Sequence, residues 1–150
     1  MSQFVNPFTH YLRVRYAECD AQKVVFNARY ADFVDVAVTE FMRAIGFEKE
    51  MVSGELDYQL VRQTLEWKAP ARFDQVLAIA VSARQLGTTS FALRTEFRVA
   101  DRDAIIATGE TVYVLVDAAT LQKRELPPRF RAALETGAVG IHSDHAGYLG

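Results

Sequence analysis

One stripe of apolar residues constrains this chain more than any other feature. Tyr30, Phe33, Val34, Ala37, Val38, Phe41 and Ile45 repeat the i, i+3, i+4, i+7 spacing of a helix that buries one face. The pattern predicts a single helix of about 18 residues, roughly 27 Å long at 1.5 Å per residue. Asn27 stands at the N-cap position, Gly46 where a left-handed C-terminal residue belongs, and Arg43 in the last turn, where the helix dipole favours a cation. A rod of that length nearly spans a small domain, so the remaining residues have to wrap it.

They do so as strands. From Tyr58 the period changes from helical to alternating, and turn residues separate four candidate strands. Val61, Gln63, Leu65 and Trp67 share one face of the first, which Pro70 ends. The second, Gln75 to Gln85, is apolar on both faces from Val76 to Val81, the composition of a strand covered twice. The third alternates most cleanly, with Phe91, Leu93, Thr95, Phe97 and Val99 inward and Ala92, Arg94, Glu96 and Arg98 outward. Asp101-Arg102-Asp103 turns the chain into the fourth, Ile105 to Val116, where Gly109 marks a bulge or a close backbone approach.

An earlier strand runs from Leu12 to Cys19, and Pro127-Pro128 opens a short helix ending near Leu134 or Glu135. Between Phe47 and Asp57 only a connection is predicted. Short hairpins imply antiparallel neighbours. The fold class is therefore α+β, an antiparallel sheet of about five strands wrapped around one long central helix. One domain is expected over residues 1–136, followed by a flexible, glycine-bearing tail over 137–150.

The step from Asp20 to Asn27 carries the chemistry, because it sets a carboxylate just before the positive end of the helix. The first N–H groups of a helix lack internal acceptors and can hold a developing oxyanion, while an aspartate acts on the carbonyl carbon or on water. The same residues also suit an ordinary turn or helix-dipole partner. Cys19 is a rival nucleophile, but alternation along a strand turns it away from Asp20 and makes it a packed thiol. His142 and His145 lack a third metal ligand nearby and read as part of a solvated tail; His10 has no identifiable partner.

Several classes drop out. A net charge of −2 on 150 residues, with no local basic patch, argues against nucleic acid. No stretch is apolar for the ~18 residues of a membrane span, and the start lacks the basic and apolar regions of a signal peptide. With a single cysteine, the expected location is cytoplasmic. No GxSxG, Walker or zinc spacing occurs.

The segment Arg15-Tyr16-Ala17-Glu18-Cys19-Asp20-Ala21-Gln22-Lys23-Val24-Val25-Phe26-Asn27-Ala28-Arg29-Tyr30 resembles the signature of the 4-hydroxybenzoyl-CoA thioesterase-like acyl-CoA thioesterases, which have the hot-dog fold. The likeness continues in order to about residue 135. It implies hydrolysis of an acyl-CoA thioester to a free acid and coenzyme A, with Asp20 as nucleophile or general base and the backbone N–H at Asn27 polarising the carbonyl. Tyr30 would line the acyl pocket or pack in the core. Thr88, Thr89 and Ser90 fall in the turn where relatives bind coenzyme A. No separate cofactor is implied, since coenzyme A is part of the substrate. Relatives pair edge strands, so a homodimer or dimer-based tetramer is expected, each site being completed by the partner chain.

Three departures accompany the likeness. Many relatives carry glycine in place of Lys23, many bacterial ones histidine or tyrosine in place of Asn27, and basic residues in the turn that here reads Gly87 to Ser90. The rival functions are a non-catalytic acyl-binding or assembly module of the same fold and a thioesterase acting on acyl carrier protein.

Overall fold

The computed structural model describes residues 6–150. In chain order the elements are β1 (Phe8–Arg13), a 3₁₀ turn (Tyr16–Glu18), α1 (Arg29–Ala44), α2 (Glu48–Ser53), β2 (Asp57–Trp67), β3 (Val76–Leu86), β4 (Ser90–Val99), β5 (Ile105–Val116), α3 (Pro128–Thr136) and β6 (His142–Asp144). The strands form one sheet in the order β2-β5-β4-β3-β1-β6. Every pairing is antiparallel except β1 with β6. The sheet curls around α1, as the helical and alternating periods require.

The α1 stripe is buried at Tyr30, Phe33, Val34, Ala37, Val38, Phe41 and Met42. It meets the inward residues of the central strands, Leu77, Ile79 and Val81 of β3 and Phe91, Leu93, Thr95 and Phe97 of β4. Phe41 packs edge-on to Phe8 of β1, and Tyr30 to Phe97, at centroid distances of 5.8 and 5.3 Å. Gly109 faces Thr95 Oγ1, and an added Cβ there would also lie 3.1 Å from Leu65 Cδ2. The close approach is thus the reason for this glycine.

Five expectations change. Asn27 is not the N-cap: α1 begins at Arg29 with Ala28 in the cap position, already helical at φ −65° and ψ −21°. The preceding turn supplies acceptors from the backbone, Phe26 C=O for the Arg29 N–H (2.9 Å) and Asn27 C=O for the Tyr30 N–H (3.3 Å), so no side chain caps the helix. The first strand ends at Arg13 because Glu18 folds back to accept the Arg15 N–H at 2.7 Å and its guanidinium at 2.8 Å, winding residues 16–18 into a turn. The connection after α1 contains α2, which is held by Arg43–Glu48 and Arg129–Glu50 ion pairs and ended by Gly54 at φ +82°.

The remaining two concern the sheet. β3 is covered on one face only: Leu77, Ile79 and Val81 are buried, while Ala78 and Ala80 face outward and are partly exposed. Among the described residues the sheet has six strands, against about five expected, because residues 142–144, within the stretch expected to be a flexible tail, add to β1 in parallel. Among the described residues the opposite edge, β2, has no neighbour beyond β5. It carries a bulge between Leu60 and Arg62 and exposes Leu60, Val61 and Trp67 by about half.

Candidate active site

The loop from Cys19 to Asn27 is built from backbone bonds. Glu18 C=O accepts the Phe26 N–H (2.9 Å), Val24 C=O accepts the Asp20 N–H (2.9 Å), and Asp20 C=O accepts the Lys23 N–H (2.9 Å). Residues 20–24 therefore form a tight turn closed by the Cys19–Val25 bridge. The segment 71–73 clamps it from the side, through Val25 N–H to Ala71 C=O (2.8 Å) and Phe73 N–H to Lys23 C=O (2.9 Å). Lys23 adopts φ +61°, the left-handed conformation that glycine takes without steric cost. The departure at Lys23 therefore preserves the left-handed backbone that glycine favours.

Asp20 is exposed at the start of this turn. Its Oδ1 accepts the Gln22 N–H at 2.8 Å, and among the described residues Oδ2 has no partner. The carboxylate is steadied on one side and open on the other. Cys19 is partly buried, and its thiol is pushed above the ordinary value by burial and then by the neighbouring Glu18 and Asp20 charges. It is thereby kept in the protonated, weakly nucleophilic form.

Asn27 and Ala28 are both exposed. Among the described residues, neither backbone N–H has an intramolecular acceptor, since the hydrogen bonds of the turn engage Phe26, Arg29 and Tyr30 instead. Two N–H donors thus remain free where the helix begins, the arrangement that receives an oxyanion. One turn on, Tyr30 is only 2 % exposed and lies between Phe33, Trp67 and Phe97. Burial pushes its phenol upward, against an opposing hydrogen bond to the Ala71 backbone. The ring also forms part of the wall of an open cleft of about 320 Å³, with Val25, Trp67 and Pro70.

Thr88, Thr89 and Ser90 lie elsewhere in the protomer. Their turn joins β3 to β4 and is fixed by Gly87 N–H to Ser90 C=O (2.7 Å), Leu115 N–H to Thr89 C=O (2.8 Å) and Leu126 N–H to Thr88 C=O (3.0 Å). The Asp20 loop sits against residues 71–73, at the other end of β3. The eleven residues of β3 separate the two by roughly 30 Å or more at ~3.3 Å per residue.

An apolar rim beside Asp20, assembled from separate segments, is not visible in any local pattern. Tyr16 and Phe73, with centroids 5.7 Å apart, and Phe26 are all exposed. Tyr16 and Phe26 both fall within the signature segment 15–30, whereas Phe73 is brought to them from 47 or more residues away by the clamp of residues 71–73. Among the described residues no group of three or more His, Cys, Asp or Glu side chains is placed to hold a metal ion. His142 and His145 point to different neighbours, Tyr11 and His10 respectively.

The family model of the thioesterase-like superfamily matches residues 14–134. The chain is 32 % identical over 117 residues to the acyl-CoA thioester hydrolase YbgC of Escherichia coli O6:H1, covering 77 % of this chain and 87 % of that protein. It is 24 % identical over 128 residues to a 1,4-dihydroxy-2-naphthoyl-CoA hydrolase of Synechococcus elongatus, covering 83 % and 93 % of the two chains. Among solved structures, a gentisyl-coenzyme A thioesterase superposes with a TM-score of 0.73 at 28 % identity, covering 84 % of this chain and 98 % of the other. The sheet wrapped on α1 is the hot-dog fold.

Proposed function

The chain belongs to the thioesterase-like superfamily, and from that premise we propose that it hydrolyses acyl-CoA thioesters at Asp20. One observation carries the reading: an exposed carboxylate is held just ahead of a helix start whose Asn27 and Ala28 N–H groups have no internal acceptor. The thioester oxygen accepts from these donors, and the carbonyl carbon becomes electrophilic. Asp20 then either adds to that carbon, forming an anhydride that water opens, or takes a proton from a water that adds directly. On either route the C–S bond breaks, the coenzyme A thiolate leaves and is protonated, and one water is consumed.

The substrate class follows from the relatives. The names above are those of coenzyme A thioester hydrolases, and two of them specify hydroxylated aromatic acyl groups. The exposed Tyr16, Phe73 and Phe26 rim suits an apolar or aromatic acyl group.

The site takes two chains. Asp20 and the Thr88–Ser90 turn stand at opposite ends of β3, so one substrate reaches both only if the turn comes from a second protomer. The open β2 edge, with Leu60, Val61 and Trp67 half exposed, is the surface on which that protomer pairs. The assembly is a homodimer or a dimer of dimers, and its lone thiol suits the reducing cytoplasm. No described helix is long and apolar enough to cross a membrane.

Two measurements test this. Purified protein is offered a panel of aliphatic and aromatic acyl-CoA esters while thiol release is followed with a chromogenic reagent. Release by the parent is expected; folded protein inert toward the whole panel defeats the reading. Sedimentation equilibrium at micromolar concentration is expected to show no folded monomer, and a folded, active monomer rules out the two-chain site.

A further inference from the structure

The family match ends at residue 134, yet the segment beyond it is tied to the sheet with care. Thr9 N–H donates to Ile141 C=O (3.2 Å), Gly140 N–H to Asn6 C=O (2.7 Å) and His145 N–H to Tyr11 C=O (3.0 Å). Asp144 gathers the N–H groups of Ala146, Tyr148 and Leu149 at 3.0, 3.1 and 2.8 Å. Tyr148 stacks on Tyr11 at 5.0 Å, and its hydroxyl reaches Asp101. These residues cover the outer edge of β1, whose backbone groups would otherwise be open to another strand.

The seat under this segment is His10, which points inward from β1 and is 0 % exposed. Its Nδ1 lies 3.1 Å from Ser143 Oγ, which lies 3.3 Å from Glu40 Oε1 on α1. A carboxylate only accepts, so the Ser143 proton goes to Glu40 and Ser143 Oγ accepts from His10 Nδ1–H. The other nitrogen, Nε2, then carries a bare lone pair, and it is buried with no partner among the described residues. The His145 ring closes over His10 edge to face at 4.5 Å. A proton added at Nε2 would find no acceptor among the described residues and would place a charge on a ring sealed from water.

We propose that residues 137–150 form an acid-released strap over the β1 edge, latched only while His10 is neutral. The charged groups around the latch do not all favour this. Glu40 and Asp144 attract a His10 cation and His145 repels one; Arg43 draws on Glu40 at 3.3 Å. His10 and His145 also line a cavity shared with Arg13, Arg15, Glu18, Arg29 and Asp32. Burial outweighs the attraction and pulls His10 from the ordinary 6.5 to about 4. Since the latched state holds the lower pKa, the released state binds more protons between pH 6.5 and 4. Latching is therefore fully present above 6.5 and weakens by up to about tenfold per pH unit as pH falls through that window.

The test is residue-resolved hydrogen exchange on the full chain, with each rate divided by its intrinsic value at the same pH. From pH 7 to 5, protection of the Thr9 and His145 amides is expected to fall at least about tenfold, while that of Ile79 and Phe97 in the central strands holds. In His10→Gln, which can still donate to Ser143 but does not titrate, the fall should vanish. Nitrogen chemical shifts of His10 in the parent protein provide a second measurement that needs no variant. They should show the Nδ1–H tautomer persisting well below pH 6. Protection that is flat with pH in the parent, the same slope in His10→Gln, or a His10 that titrates at its ordinary value each overturns the strap.

Discussion

The Asp20 loop and the His10 seat hold polar groups in opposite ways. In the loop the backbone does the holding, through a run of N–H to C=O bonds between residues 18–26 and 71–73, and the Asp20 side chain remains exposed with one oxygen unengaged. In the seat the side chains hold one another: His10 meets Ser143, Ser143 meets Glu40, and Glu40 is shared with Arg43, while among the described residues Nε2 has no partner. The difference shows where reactivity and stability reside. A group that must meet a substrate is fixed from behind and left free in front, whereas a group that joins distant segments is sealed from water, and losing it costs structure.

The sharpest way to break this contrast is Asp20→Asn. Removing a nucleophile or general base costs typically ~10²-fold or more in kcat, while an exposed side chain making one local bond costs little stability. Expected are a loss of at least about 10²-fold in thiol release and a melting temperature near the parent's. A variant as fast as the parent would show that Asp20 belongs with structural aspartates.

His10→Ala should do the reverse. It empties a buried site and strips Ser143 of its donor, a combination worth about 2–4 kcal/mol in urea unfolding, with kcat close to the parent's. A large rate loss at unchanged stability would mean that the seat belongs to the chemistry.

Asn27→Ala sharpens the account of the loop. The side chain caps nothing, because α1 starts at Arg29 and takes its first acceptors from backbone carbonyls. Stability should change by less than about 0.5 kcal/mol, the usual range for such a surface position. If the backbone N–H is the donor, kcat falls by less than about tenfold, against ~10²–10³ for loss of an oxyanion donor. Measuring rate and melting temperature on one preparation separates the two cases.

The smallest effect on rate is expected from Lys23→Gly. Relief of the left-handed strain, ~1–2 kcal/mol, is offset by the greater backbone freedom of glycine, ~0.5–1 kcal/mol. The net change should be a gain of about 0–1.5 kcal/mol in urea unfolding, with little change in rate. A marked destabilisation would show that the Lys23 side chain is needed to hold the turn.

What the sequence by itself determined is whatever a local period can encode. The α1 stripe and the inward face of β4 follow from side chains that repeat at 3.6 or 2 residues, because burial on one face selects those repeats, and the hairpin at Asp101–Asp103 follows from its turn residues. Gly109 was legible for a similar reason, since a glycine inside a strand marks something close by. The 16-residue α1 is long enough for its pattern to override any neighbour.

Tertiary structure decided the rest. β6 is three residues long and α2 six, too short for a period, and each forms because distant residues receive it. Ser143 meets His10 across 133 positions, and Arg129 meets Glu50 across 79. The start of α1 escaped the cap rule because backbone carbonyls of the preceding turn did the work that the Asn27 side chain was expected to do. The distance between Asp20 and the Thr88–Ser90 turn was equally hidden. It depends on which end of β3 each loop reaches, and pairing register, a property of two strands at once, cannot be read from either alone.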